Sequence, residues 1–211
     1  MRRVRVKVCG VTSPEVARAA VAVGADAVGL IFAESRRRVS VADAARIVAG
    51  LPPFVAAVGV FVNAPVDEVV SLAHGLSLET VQLHGEEPPD LLEVLRAQGL
   101  RVIKALRVGA DFDPADLDRY REAAAVLLDS KVDGLAGGTG RAFDWERARG
   151  LGDGRPLILS GGLTAENVAA ALEIVRPYGV DVSSGVETAG QKDPDKIIRF
   201  IEQVRAWESR P

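Results

Sequence analysis

The chain has 211 residues, of which 48% are hydrophobic and one is a cysteine, and its net charge at pH 7 is −3. Such mildly acidic, mixed charge argues against general nucleic-acid binding, and a lone cysteine excludes an internal disulfide, which favours the cytoplasm. No apolar run approaches the ~20 residues that span a bilayer, so we expect no membrane partner.

Eight short apolar runs rich in Val, Ile and Leu recur along the chain, and each is predicted to be a strand. The runs are 4–10, 26–32, 54–62, 80–85, 101–108, 125–130, 156–162 and 180–186. Strands that are apolar almost throughout are typical of a parallel sheet buried on both faces. The sequence therefore predicts a parallel α/β architecture.

The segments between these runs carry the capping signals of helices. Predicted helix openings lie at Ser13-Pro14, Ser40, Asp90, Asp113-Pro114, Asp144, Thr164 and Asp193-Pro194. Eight strand–helix units predict a (β/α)8 TIM barrel, which we expect to form one domain over residues 1–211. The alternative is an open doubly wound sheet, but no GxGxxG motif follows the first strand.

Polar side chains end three of the predicted strands, at the edge where barrel enzymes carry their chemistry. Cys9 ends the first strand, His84 the fourth and Asp129 the sixth. Because alternate residues of a strand share a face, Lys7 lies on the side of Cys9, where it is expected to neutralise a carboxylate. The three strand-end residues also have structural interpretations: Cys9 as a small core residue, His84 as a hydrogen-bonded structural histidine and Asp129 as a helix N-cap.

The ends of the last two strands are rich in glycine and serine, and they predict a phosphate site. The candidate residues are Gly161, Gly162, Ser183, Ser184 and Gly185. Backbone N–H groups approach an anion closely where no Cβ intervenes, and barrel phosphate sites commonly use these two loops. Ordinary tight turns are the alternative interpretation.

Two further motifs follow the second and sixth strands. The run SRRRVS at 35–40 offers guanidinium groups that suit a carboxylate, although a solvated charge run is the alternative. The segment GGTG at 137–140 lacks the lysine–serine ending of a Walker phosphate loop.

Together these strand ends resemble those of the phosphoribosylanthranilate isomerase family of tryptophan biosynthesis. The resembling motifs are KVCGVT (7–12), GADAVGLIF (24–32), SRRRVS (35–40), VGVFVN (58–63), VQLHGEE (81–87), LLDS (127–130), GGTGRAFDW (137–145), LSGGLTAENV (159–168) and VDVSSGVE (180–187). They run in order through nearly the whole chain, and their joint occurrence is far more specific than any one of them.

The resemblance implies an Amadori rearrangement of N-(5'-phosphoribosyl)anthranilate, a phosphorylated anionic small molecule, without a cofactor or a metal. By the family's pattern, Asp129 is the general acid that opens the furanose ring, and Cys9 is the general base that removes the C2' proton. A thiol serves as such a base once its pKa falls towards neutrality, which is what we expect of Cys9.

The resemblance also assigns binding roles. Arg37 corresponds to the arginine that binds the anthranilate carboxylate, with Arg36 as the alternative. The glycine–serine ends of strands seven and eight correspond to the phosphate site. Gln82, His84 and Asp181 are expected beside the substrate.

Two competing functions remain from the sequence. A histidine-pathway or dual-substrate isomerase performs the same chemistry on a similar barrel, but that family carries an aspartate where this chain has Cys9. A non-catalytic phosphate-binding barrel would need the glycine loops and no acid–base pair. Because no apolar stripe marks the predicted helices, we expect a monomer.

Overall fold

The computed structural model describes residues 3–109, 111–130, 144–151 and 154–210, and its main feature is a closed barrel of eight parallel strands. The strands are β1 (Arg5–Cys9), β2 (Ala27–Ile31), β3 (Ala56–Phe61), β4 (Thr80–Leu83), β5 (Arg101–Val108), β6 (Ala125–Ser130), β7 (Leu157–Leu159) and β8 (Gly179–Val182). β1 pairs in parallel with both β2 and β8, which closes the barrel. The predicted (β/α)8 fold is confirmed, and the open sheet is wrong.

Helices alternate with the strands. Within the described ranges these are α1 (Pro14–Ala22), α2 (Val41–Ala49), α3 (Val66–Gly75), α4 (Asp90–Ala97), α5 (Asp116–Arg119), α6 (Val168–Val175) and α7 (Pro194–Glu208). The side chains of Ser13, Ser40 and Asp193 accept backbone N–H groups at the starts of α1, α2 and α7, as their sequence positions predict. Asp144 caps a 3₁₀ turn, Trp145–Ala148, rather than an α-helix.

The seventh unit differs from the sequence prediction at its helix start. α6 begins at Val168, four residues after Thr164. The Thr164 carbonyl already accepts the N–H groups of Asn167 (3.3 Å) and Val168 (3.0 Å), so a first turn precedes the regular helix. The Asn167 side chain fixes this turn, because it accepts the Thr164 N–H (2.8 Å) and donates to the Gly162 carbonyl (2.8 Å).

A short hairpin follows β8 and lies outside the barrel sheet. It consists of β9 (Glu187–Thr188) and β10 (Gln191–Lys192), which pair antiparallel after a 3₁₀ turn at Ser184–Val186. The hairpin places two charged residues, Glu187 and Lys192, next to the end of β8.

The core has two parts. The larger part lies between the outer face of the barrel and the helices. The smaller part fills the barrel interior with Val58, Ile103, Ala105, Ala125, Leu127 and Ile158. This apolar plug closes the interior below the carboxyl ends of the strands, so polar groups there face an open mouth. None of the described helices is both long and apolar enough to cross a membrane.

Candidate active site

A cavity of about 300 Å³ opens at the carboxyl ends of the barrel strands. Its lining includes most of the site residues expected from the sequence: Cys9, Arg37, His84, Asp129, Gly161, Gly162, Asp181, Ser183 and Ser184. Gln82 and Gly185 do not line it. The fold therefore brings these nine residues, which come from six of the eight strand–helix units and lie up to 175 positions apart, to one mouth.

Cys9 lies at the end of β1 with 6% of its surface exposed. Its neighbour on β2 is Gly29, where an added Cβ would lie 2.8 Å from the Cys9 Sγ, so only glycine leaves the thiol its place. Two residues earlier on β1, Lys7 forms a buried 2.9 Å ion pair with Asp181, which confirms the predicted neutralising role of Lys7.

The electrostatics of Cys9 differ from the sequence expectation. Burial raises the pKa of the thiol and Asp181 raises it further, while the charges of Lys7 and Lys192 oppose them without reversing the result. The sequence reasoning expected a pKa lowered towards neutrality, and for the site without substrate this is wrong. The physical reason is that a thiolate in a nearly dry pocket loses more hydration than two lysines return.

Asp129 lies at the end of β6, nearly buried, and both of its oxygens accept hydrogen bonds. Its Oδ1 accepts the N–H of Ser130 (2.8 Å), and its Oδ2 lies 3.0 Å from His84 Nε2. The other ring nitrogen of His84, Nδ1, lies 2.7 Å from the side-chain nitrogen of Gln82. Asp129, His84 and Gln82 therefore form one hydrogen-bonded chain from the cavity into the barrel wall.

Arg37 is held at the cavity by a carboxylate that sequence reasoning missed. Glu187 in β9 accepts from Arg37 Nε (2.6 Å) and Nη2 (2.9 Å), from Arg36 (2.8 Å) and from Lys192 (2.7 Å). The Arg37 side chain is 12% exposed and lines the cavity, whereas Arg36 is 59% exposed and does not. Of the two candidates, Arg37 is the one that the structure places in the pocket.

Glu187 also has a pKa far below that of an ordinary glutamate. Burial alone would raise the pKa of Glu187, but the hydrogen bonds and charges of Arg37 and Lys192 lower it from 4.5 to about 2. One carboxylate thus faces three cations, so the cluster keeps an excess of positive charge, and one of its cations, Arg37, lines the cavity where it can meet an anionic ligand. Glu187 ends the motif VDVSSGVE, but two of its three partners, Arg36 and Arg37, are about 150 positions away and leave no signal in a single sequence.

We expect Glu187→Gln to lower the free energy of unfolding at pH 7 by about 3 kcal/mol, since ~1.4 kcal/mol accompanies each pH unit by which folding lowers the pKa. A carboxyl group whose pKa is lower in the folded state stabilises the fold above its unfolded pKa. The difference between parent and variant should therefore be full above about pH 4.5 and shrink as the pH falls towards 2. Urea unfolding at a series of pH values measures it, and a difference independent of pH would contradict the assignment.

The two glycine–serine loops lie against each other at the mouth. Gly161 and Gly162 have positive φ angles of +81° and +67°, and a Cβ on Gly161 would collide with Ser130. Gly185, in the second of these loops, packs against the first, since a Cβ on it would collide with the carbonyl of Leu163. Within the described part of the chain, the N–H groups of Gly161, Gly162 and Ser184 donate to no protein acceptor, which leaves donors for an anion.

A second buried ion pair supports the loops after β3 and β4. Lys104 on β5 is fully buried and donates to Glu87 (2.7 Å) and to the Gly85 carbonyl (2.6 Å). Glu87 in turn accepts the N–H groups of Asn63 and Gly85. Because Gly85 follows His84 directly, this pair fixes the backbone that carries His84. Sequence reasoning did not identify Lys104 or Glu87.

The GGTG segment at 137–140, with Arg141 to Phe143 of its longer motif, lies outside the described residues. Among the residues that are described, no group of three or more His, Cys, Asp or Glu side chains is arranged to hold a metal ion.

Comparison with known proteins identifies the family to which this arrangement belongs. Residues 6–203 match the family model described as N-(5'phosphoribosyl)anthranilate (PRA) isomerase. The N-(5'-phosphoribosyl)anthranilate isomerase of Acidithiobacillus ferrooxidans is 51% identical over 209 residues, covering 97% of this chain and 99% of that protein.

Solved structures agree with the sequence match. One is described as monomers of the dimeric phosphoribosylanthranilate isomerase of Thermotoga maritima; it is 42% identical, has a TM-score of 0.80, and is matched over 96% of this chain and 99% of its own. Another is a phosphoribosyl anthranilate isomerase in complex with reduced 1-(o-carboxyphenylamino)-1-deoxyribulose 5-phosphate; it is 44% identical, has a TM-score of 0.83 and is matched over 96% and 99%. The chain belongs to the N-(5'-phosphoribosyl)anthranilate isomerase family.

Proposed function

We propose that Asp129 and Cys9 are the general acid and the general base with which this chain isomerises N-(5'-phosphoribosyl)anthranilate in tryptophan biosynthesis. The observation that carries the assignment is their meeting in one cavity, whose lining also includes Arg37 and residues of both glycine–serine loops. The substrate has a carboxylate at one end and a phosphate at the other, so this layout matches its two charges.

The first step opens the sugar ring. Asp129 gives its proton to the furanose ring oxygen, the bond from C1' to that oxygen breaks, and the nitrogen lone pair forms a cationic Schiff base at C1'. The hydrogen bonds from Ser130 and His84 then stabilise the carboxylate that Asp129 becomes. An acid already surrounded by donors is suited to lose its proton in this step.

In the second step Cys9 removes the C2' proton, and the electron pair forms the C1'=C2' bond of an enolamine while the Schiff-base charge is neutralised. The enolamine then tautomerises to the ketone. Because burial raises the pKa of Cys9 in the free site, the thiol must give its proton to water at the open mouth before it can act as a base, and the positive charge of the Schiff base formed in the first step favours this loss. The base is thus produced by the intermediate on which it acts.

The carboxylate end of the substrate is assigned to Arg37. We expect Arg37→Ala to raise KM about 10- to 100-fold, because a hydrogen bond to a charged group contributes ~1.5–3 kcal/mol. Arg36→Ala is the matched control and should change KM by less than about threefold, since Arg36 is mostly exposed. Arg37→Lys should restore binding only partly, because the planar fork is lost. Equal increases in KM for the two alanine variants would show that residues 36–38 act only as a diffuse charged patch, which would contradict the assignment of Arg37.

The phosphate end is assigned to the loops at 160–162 and 183–185. We expect inorganic phosphate to inhibit competitively, and Gly162→Asp to abolish that inhibition and raise KM at least 100-fold, because it adds a like charge at the anion. Gly99→Asp is the matched control: Gly99 has a similar φ of +80° with no atom near its missing Cβ, and it precedes β5 at the opposite end of the barrel. Phosphate bound only near residues 36–38 would mean that the substrate lies in the opposite orientation, and this would contradict the assignment.

Turnover itself is tested by the loss of anthranilate fluorescence as phosphoribosylanthranilate, generated in situ, is consumed. We expect turnover of this substrate and much weaker turnover of the histidine-pathway aminoimidazole substrate, which lacks the carboxylate that Arg37 would bind. No turnover of either would support the non-catalytic phosphate-binding barrel.

We further propose that residues 1–211 act as one catalytic domain, as a monomer in the cytoplasm. Exposed large hydrophobic side chains of the described residues lie on separate segments: Val41, Phe54, Val62 and Val94. Scattered apolar residues do not form a patch that demands a partner. Light scattering after gel filtration should give the mass of one chain, unchanged by Phe54→Ser; a dimer mass that this variant halves would contradict the proposal.

A further inference from the structure

Gln82 is a buried residue that reaches the cavity only through His84. It lies on β4 with no exposed surface, and its side-chain nitrogen is 2.7 Å from His84 Nδ1. Its side-chain oxygen is also buried and has no hydrogen-bond partner in the structure. A buried carbonyl without a partner is costly, so its retention calls for a reason.

The direction of the Gln82 hydrogen bond determines where the proton of His84 lies. An amide nitrogen has only hydrogen atoms to offer, so Nδ1 of His84 must accept with its lone pair. In a neutral imidazole the single proton then resides on Nε2. That nitrogen lies 3.0 Å from Asp129 Oδ2, to which it donates.

We propose that Gln82 is a positioning residue that keeps His84 in its Nε2–H form, so that the proton of Asp129 remains available to the substrate. The inference rests on the proposed role of Asp129 as the acid. With Nε2 already protonated, His84 cannot accept a proton from Asp129, and the acidic proton is directed into the cavity. After the transfer, the same Nε2–H stabilises the carboxylate.

The opposite tautomer would work against the reaction. If His84 carried its proton on Nδ1, the lone pair of Nε2 would accept from the acid and hold that proton inside the protein, away from the ring oxygen. That tautomer would require the Gln82 oxygen to face Nδ1, which would leave the buried NH₂ group with two unused donors. As observed, the Gln82 oxygen and one of its two N–H donors lack a partner, so both orientations leave two groups unpaired, and the 2.7 Å contact of the side-chain nitrogen with Nδ1 is what selects the Nε2–H form.

The composition of the chain makes this tautomer directly measurable, because the protein contains only two histidines. Long-range ¹H–¹⁵N NMR of protein labelled at the histidine ring nitrogens distinguishes Nε2–H, Nδ1–H and doubly protonated rings. The other residue, His74, is exposed in α3 and contacts the Gln98 carbonyl. His74→Gln therefore assigns the signals and should leave the His84 signals and kcat unchanged.

At pH 7.5, without substrate, we expect His84 to give the Nε2–H pattern. Gln82→Leu should mix the two tautomers, and Gln82→Glu, whose carboxylate accepts from Nδ1–H, should remove the neutral Nε2–H pattern. Both variants should lower kcat at least tenfold with little change in KM, within the ~10²–10⁴-fold that general acid–base catalysis contributes.

Three results would overturn the proposal. The first is an Nδ1–H or doubly protonated His84 in the parent protein, which can be tested even if no variant folds. The second is a Gln82→Leu protein whose His84 pattern and kcat match those of the parent. The third is a rise in KM without a fall in kcat, which would make Gln82 a substrate ligand. The role of Asp129 as the acid is tested separately, by the activity of Asp129→Asn. A failure of that assignment can therefore be told apart from a failure of the tautomer proposal.

Discussion

Asp129→Asn is expected to lower kcat by about 10²- to 10⁴-fold while changing KM by less than about threefold. The amide keeps the size of the carboxyl group at the end of β6 but cannot give a proton to the ring oxygen. Because Asp129 contacts Ser130 and His84 rather than either charged end of the site, substrate binding should survive. Steady-state kinetics by fluorescence loss measures both parameters.

The matched control is Asp26→Asn at the opposite end of the barrel. Asp26 pairs with Arg3, Arg5 and Arg205, and it also accepts the Val6 N–H, so its loss tests stability without touching the cavity. We expect this variant to unfold more easily and to keep its kcat. A normal kcat in Asp129→Asn would remove Asp129 from the acid role, and an equal fall in both variants would mean that stability, not chemistry, is measured.

Cys9→Ser is expected to lower kcat by a similar factor, about 10²- to 10⁴-fold, because a serine hydroxyl stays un-ionised and is a far weaker base than a thiolate. Cys9→Ala should be equally poor. Both replacements fit the space beside Gly29, so thermal unfolding should change little. Near-normal turnover of the serine variant would show that another group removes the C2' proton.

The protonation of Cys9 can be measured independently of turnover. It is the only cysteine of the chain, so alkylation by iodoacetamide reports one site. Because burial and Asp181 raise the pKa of Cys9, the thiol form prevails at neutral pH in the free protein, and the alkylation rate should rise only at alkaline pH. A rate that already reaches its plateau below pH 7 would show that the free site stabilises the thiolate.

The strands of the barrel could be predicted because their signal is local. Strands buried on both faces must be apolar almost throughout, and runs such as 101–108 and 125–130 coincide with β5 and β6 in the structure. The polar residues that interrupt the pattern at strand ends, Cys9 and Asp129 among them, then mark the mouth of the barrel. The place of these residues follows from the pattern, whereas their catalytic roles come from the resemblance to the family.

The rest of the site depends on contacts between distant residues, which a single sequence does not reveal. Glu187 is 150 residues from Arg37 along the chain. Lys104 on β5 forms its ion pair with Glu87 in the loop after the neighbouring strand β4. The pKa of Cys9 depends on how deeply the closed barrel buries it. The turn before α6 is fixed by the Asn167 side chain, whose bonds to Thr164 and Gly162 are not predicted by helix propensity alone.

A crystal structure of this chain with reduced 1-(o-carboxyphenylamino)-1-deoxyribulose 5-phosphate would show how the substrate lies between Cys9 and Asp129. We expect the carboxylate on Arg37, the phosphate on the N–H groups of Gly161, Gly162 and Ser184, and C2' within ~3.5 Å of the Cys9 sulfur, a near-attack distance. The phosphate on Arg37, or C2' on the side of the cavity away from Cys9, would contradict this orientation.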